Sequence, residues 1–185
     1  MSEEMIIRHC SPTLAGLKTG SLFSCHVAAG YEKELMEDLR KLNRRLVPKG
    51  LRILPLRIWD GRALIYVYRP SGLKKDLEDR QTRELLEKNG YVPARADACV
   101  IHLIKRVKEG QGFPHEIGLF LGYPPEDVQG FIENKAEGHK MTGYWKVYGN
   151  EEEAKRKFEK FKKCTRIYCE EWEKGRTLEK LTVSG

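Results

Sequence analysis

At 185 residues, with 40% hydrophobic and 33% charged residues, the chain is long enough for one domain with its own core and has the composition of an ordinary globular protein. No apolar run approaches the roughly 20 residues that span a bilayer, and the start, Met-Ser-Glu-Glu-Met, lacks the basic-then-apolar pattern of a secretory signal. These features exclude a helical membrane protein and predict cytoplasmic residence with no membrane partner. The net charge of +7 is concentrated: Arg40, Lys41, Arg44, Arg45, Lys49, Arg52 and Arg57 fall in one stretch with no acidic residue. That stretch is either a basic surface for a polyanion or a set of cations gathered near a helix C-terminus.

Along the chain, Ser11-Pro12 reads as an N-cap and first helical position for a short helix reaching Leu17. Ser21–Val27 is a candidate strand. Tyr31, Leu35, Leu39, Leu42 and Leu46 form a helical stripe. Leu51–Trp59 and Ala63–Arg69 are rich in β-formers and flank Asp60-Gly61, a strong signal for a hairpin turn.

Ser71–Lys88 turns helical with a break near Asp79, and Asn89-Gly90-Tyr91 reads as its stop. Asp97 caps a further helix to about Lys108, which Gly110-Gln111-Gly112 ends. Pro114 and Pro125 suit the first turns of two short helices around a Gly-Tyr-Pro-Pro turn. Gly143–Tyr148 is an aromatic strand. Asn150 with Glu153 caps a last helix carrying Ala154, Phe158, Phe161, Ile167, Tyr168 and Trp172 along one side.

This order predicts a single α+β domain over 1–185 of ferredoxin-like (split βαβ) type. Its four-stranded antiparallel sheet would carry an enlarged helical segment, about 71–135, between strands 3 and 4. An open α/β sheet of another strand order is the rival.

The five cysteines (Cys10, Cys25, Cys99, Cys164, Cys169) include no Cys-x-x-Cys pair, so reduced thiols are expected and no metal site is. Cys10 precedes the helix signal at Ser11-Pro12, where amide dipoles would lower its pKa and make it a nucleophile. His115-Glu116 opens a helix, a setting for a neutral imidazole acting as base with Glu116 as its partner. Cys10, His115 and Glu116 are therefore the candidate catalytic residues. Lys18, in a Gly-Leu-Lys-Thr string that departs from Walker spacing, is the candidate anion contact. Tyr144 is the candidate ligand-binding ring, since it and Trp145 point to opposite sides of one strand.

A small anionic ligand is the expected partner, and no cofactor is identified. Nucleic acid is not expected: the 114–134 unit has helix-turn-helix spacing, but its second helix begins with Glu126 and Asp127 and would repel phosphate. The alternative reading is a nucleic-acid or protein-binding module using that unit and the basic 40–57 segment.

The strings Cys10–Lys18, Phe113–Pro124, Asp127–Asn134 and Gly143–Tyr148 together resemble a bacterial family of unknown function, the domain of unknown function numbered three-seven-nine-three. The likeness covers nearly the whole chain. It implies a small, stand-alone bacterial protein of an anaerobe and brings no activity, cofactor or catalytic residue with it.

Overall fold

In the computed structural model, which describes residues 1–109 and 112–185, the first helix, α1 (Glu3–Leu14), begins well before the Ser11-Pro12 signal. Its N-cap is Ser2, whose hydroxyl accepts from the Met5 N–H at 3.4 Å, and Glu3 and Glu4 occupy the first turn, where the helix dipole favours carboxylates. Ile6, Ile7, Cys10 and Leu14 are fully buried. That packing offsets Pro12, which sits inside the last turn and can donate no N–H there.

The chain divides into two compact units, Met1–Gly72 with Lys163–Gly185, and Leu73–Lys162. In the first, β1 (Gly20–His26), β2 (Arg52–Trp59) and β3 (Arg62–Tyr68) form an antiparallel sheet in the order β1-β3-β2. Both outer strands run antiparallel to β3 and so parallel to each other. α2 (Glu32–Leu46) connects them, which makes a split β-α-β unit.

α1 and α2 pack on one face of this sheet, against Phe23, Cys25, Ile53, Ala63, Ile65 and Val67. α2 buries Leu35, Leu39, Leu42 and Leu46 as its stripe predicts, but Tyr31 lies outside the stripe and is 58% exposed. Arg45 of α2 pairs with Glu3 of α1 and with Glu179 of the short helix Leu178–Leu181.

The hairpin forms across Asp60-Gly61, both at positive φ (41° and 73°), the backbone a two-residue right-twisting turn requires. One residue, Leu56, bulges from β2. Pro55 faces Ile65, and the next paired residue, Arg57, faces Leu64.

β2 is an edge strand, and Asn43 covers part of it. The Asn43 side chain accepts from the Ile53 N–H at 2.9 Å and donates to the Ile53 carbonyl at 2.7 Å, taking the place of a neighbouring strand.

The second unit holds α4 (Arg80–Lys88), α5 (Ala96–Glu109), α6 (Ile117–Phe120) and α7 (Pro125–Glu133); α3 (Pro70–Asp76) spans the boundary between the units. Asp79 caps α4 by accepting from the Thr82 N–H at 2.8 Å, and Gly90, at φ 80°, ends it with the Tyr91 N–H on the Leu86 carbonyl. α5 starts at Ala96, with Asp97 in its first turn rather than as its cap. Of the Gly110-Gln111-Gly112 stop, Gly110 and Gln111 lie outside the described residues. α8 (Glu151–Glu173), on which Asn150 accepts from the Glu153 N–H at 3.1 Å, contributes residues to both units.

The expected fourth strand does not join the three-stranded sheet. Lys146–Val147 (β5) pairs with Met141–Thr142 (β4) in a separate hairpin, so the complete ferredoxin-like sheet is not seen among the described residues. The physical reason is a contact with α7, distant in sequence. The Tyr148 and Gly149 N–H groups, which a longer strand would direct to a neighbour, donate at 2.7 Å to the buried Asp127 carboxylate, and the Trp145 indole N–H donates to its other oxygen at 2.6 Å.

Two substitutions test this arrangement in urea denaturation. Gly61→Val destabilises the first unit by about 1 kcal/mol or more, because the turn demands positive φ. Asn43→Leu costs about 1–3 kcal/mol, because both polar backbone groups of the buried Ile53 lose their partner.

Candidate functional site

Cys10 and Lys18 belong to the first unit; His115, Glu116 and Tyr144 belong to the second. Cys10 lies within α1, not ahead of a helix, so the amide dipoles expected to activate it are at Ser2 instead. It has no exposed surface, and burial pushes its thiol up to about 12 despite the opposing influence of Lys18 and a hydrogen bond with Ser21. Thr13 and Ser21 share a hydroxyl contact of 2.8 Å.

Lys18 sits in the turn after α1, where both the Leu17 and Lys18 N–H groups reach the Pro12 carbonyl and Gly16 takes φ 71°. Burial draws its ammonium down to about 8, and the neighbouring Cys10 resists that shift. The fold therefore brings Cys10 and Lys18 into electrostatic reach. Burial brings the amine's titration down to about 8, so it still carries its proton in most molecules at neutral pH, and holds the thiol protonated.

His115 and Glu116 are adjacent in sequence but meet different surroundings. His115 is exposed, with its ring edge-on to Phe131 at 5.0 Å. Glu116 is buried, accepts from the Tyr91 hydroxyl at 3.0 Å, and pairs with Arg106 Nε at 2.6 Å. Its carboxylate is thus engaged by Tyr91 and Arg106 rather than by His115. Burial, then the charge of Glu116, raises the Tyr91 hydroxyl well above the usual tyrosine range.

The helix pair is real but shorter than its spacing suggests. α6 has four residues, and Gly118 lets α7 approach, since a Cβ there would meet Val128 Cγ2 at 2.8 Å. Gln129, the residue on α7 best suited to reach a base edge, is held by Gln81 at 2.9 Å and itself donates to Glu133 at 2.6 Å.

Tyr144 lines an open groove of about 490 Å³ between the β4–β5 hairpin and α8, with Met141, Gly143, Lys155, Phe158 and Lys162. Its neighbours set its ring: Phe161 lies edge-on at 5.2 Å, Phe158 is tilted at 5.6 Å, and its carbonyl accepts from the Tyr123 hydroxyl at 3.1 Å. Trp145, the next residue, is buried against Phe158 and Tyr123. Gly143 cannot be replaced without moving the groove floor, because a Cβ would stand 2.2 Å from the Phe158 ring.

Sequence reasoning misses Lys155 and Lys162; their signal is a seven-residue spacing, which puts them on one helix face about 10 Å apart. In the sequence Asp127 looks only like an obstacle to phosphate, whereas it organises the hairpin from within. Among the described residues no cluster of three or more His, Cys, Asp or Glu is placed to hold a metal ion, and no helix is long and apolar enough to cross a membrane.

These features define an α+β protein in which a split β-α-β unit accompanies a helical unit bearing an aromatic, lysine-flanked groove. The chain belongs to the family described as Protein of unknown function (DUF3793), whose model matches residues 6–182. No curated protein and no solved structure matches it.

The Cys10–Lys18 geometry has a labelling signature. Lys18 acylation follows a pH profile centred near 8, while Cys10 resists iodoacetamide until the protein unfolds and the half-exposed Cys169 reacts first, as read by mass spectrometry. Lys18 is lowered on folding from 10.5, so the unfolded chain binds more protons between about pH 8 and 10.5 and stability rises with pH there. Cys10, raised from 9.0, acts in the opposite sense above pH 9.

Proposed function

We propose that the protein binds a small, flat, aromatic anion in the groove beside Tyr144. One observation carries the reading: a pre-set aromatic ring borders a groove of about 490 Å³ that has an exposed lysine toward either end of its helical wall. An aromatic ligand ring gains about 0.5–1.5 kcal/mol from an offset or edge contact with Tyr144, beyond the area it buries. A carboxylate or similar group then makes a charge-assisted hydrogen bond to Lys155 or Lys162.

Glu159 lies on the same helix face between the two lysines, four residues after one and three before the other. It opposes a second negative charge at the middle of the groove, so the reading favours a ligand with one compact anionic group over a polyanion. The burial and raised pKa of Cys10 weigh against a thiol-dependent step. The reading is that of a binding protein rather than an enzyme.

Naphthoate and its neutral counterpart naphthalenemethanol separate the two contributions in ligand-observed NMR titrations. Naphthoate binds saturably and at least about tenfold more tightly, a difference of ~1.4 kcal/mol. Tyr144→Ala weakens binding of both compounds, and the pair Lys155→Glu with Lys162→Glu removes the preference for the anion. Equal binding of the two compounds, or an anion preference that survives the double charge reversal, overturns the proposal.

A further inference from the structure

We infer that the open end of the three-stranded sheet, on the face away from α1 and α2, is a binding surface for single-stranded nucleic acid. The inference rests on strand register and is independent of the groove at Tyr144. Ala63, Ile65 and Val67 of β3 point into the helix-covered core, so Arg62 and Leu64 point to the other side. Pairing then sets the rows. His26, Arg62 and Trp59 lie side by side across the three strands, and Ser24, Leu64 and Arg57 form the next row.

Toward Tyr66 and Tyr68 this face is buried. Toward the Asp60-Gly61 turn it is open: Ser24, His26, Arg57 and Arg62 are exposed, and Trp59 and Leu64 are half-buried.

The bulge at Leu56 creates this surface. With regular pairing after Pro55–Ile65, Leu56 would face Leu64 and Arg57 would face Ala63, sending the arginine into the core. The one-residue slip instead puts Arg57 and Trp59 on the open face and returns Ile58 to the core side, where it packs against the main cluster. Bulges recur where a side chain has to be re-aimed. Here Arg57 is aimed over the Trp59 ring, with its guanidinium carbon 5.4 Å from the ring centroid.

The chemistry of the surface selects the partner. It offers Arg57 and Arg62 with the exposed Arg52 farther along β2, an indole and an imidazole, and no carboxylate in either row; Asp60 of the turn is the nearest acid in sequence. The unit carries seventeen Lys or Arg against eleven Asp or Glu, whereas the other unit is close to balance. Aromatic faces among cations on an open sheet suit bases that stack and phosphates that pair, which is how sheet surfaces take unpaired strands. Duplex reading needs an element that enters a groove, and these rows present a platform. A membrane surface would need exposed apolar side chains to insert, and the open rows hold only half-buried Leu64 and Trp59.

Fluorescence anisotropy with a fluorescein-labelled oligo-dT of about ten nucleotides tests the inference, over a range of salt concentrations. The expected result is saturable binding at low salt, with the duplex of the same length bound at least about tenfold more weakly. Arg57→Gln and Arg62→Gln each flatten the dependence of log affinity on log salt by about 0.7 for every phosphate the arginine had neutralised. Trp59→Leu weakens binding about tenfold without changing that slope, and Trp59→Phe, which keeps a ring, restores most of it. Circular dichroism of each variant establishes that the sheet is intact. Absence of binding, equal affinity for duplex, or wild-type affinity in the folded Arg57→Gln and Trp59→Leu variants would overturn the inference. So would displacement of the oligonucleotide by polyglutamate or by anionic lipid vesicles as effectively as by unlabelled oligo-dT.

Discussion

One buried arginine holds the first unit together. Arg69, at the end of β3, is 6% exposed and donates to the Thr13 carbonyl at 2.7 Å, the Leu14 carbonyl at 2.7 Å and the Val183 carbonyl at 2.6 Å. The first two are among the carbonyls that the end of α1 leaves without a helical partner, where a cation also meets the negative end of the helix dipole. Desolvation lowers the guanidinium's pKa, and the fixed fork of donors offsets that cost by bonding three carbonyls, of which Thr13 and Leu14 also accept from the Gly16 and Val183 N–H groups. The end of the sheet, the end of α1 and the C-terminal segment therefore share one fastening. The Lys18 turn follows directly from that helix end, so the environment of its amine depends on the same contact.

The second unit uses carboxylates to the same end. Asp127 gathers two backbone N–H groups and an indole, and Glu116 gathers a phenol and a guanidinium. Each is buried, and each is met by polar groups from other segments of the chain. By taking the amides of Tyr148 and Gly149 Asp127 engages the residues just beyond β5, and by taking the Trp145 indole N–H it anchors the buried ring between β4 and β5.

What was legible in the sequence was the part governed by neighbours along the chain. Asp60-Gly61 announces its turn because only certain residues accept positive φ there, and the α2 stripe announces a helix because its spacing matches 3.6 residues per turn. Asp79 and Gly90 mark the ends of α4 for similar reasons. The errors arise where distant contacts outvote local signals. Ser11-Pro12 is a good helix start in isolation, but Ile6, Ile7 and Cys10 on a common buried face carry the helix through it. Gly143–Tyr148 has the composition of a strand, yet its amides answer to an acid on α7. Because the expected chemistry of Cys10 depends on that wrong helix boundary, it is inverted along with the position. Tyr144 and Trp145, expected on opposite sides of a strand, lie instead in the bend between β4 and β5, where Trp145 is buried and Tyr144 half-buried.

The Leu56 bulge has a consequence for how the sequence can change over time. In a loop, loss of one residue shortens a path and little else. In β2, loss of Leu56 would make Pro55–Ile65 and Arg57–Leu64 consecutive pairs of a regular ladder, with Arg57 and Trp59 still on the open face and Ile58 still on the core side, and would remove a fully buried side chain. The faces of this segment are therefore set by its pairing from the turn, and what such a deletion would cost is the packing of Leu56.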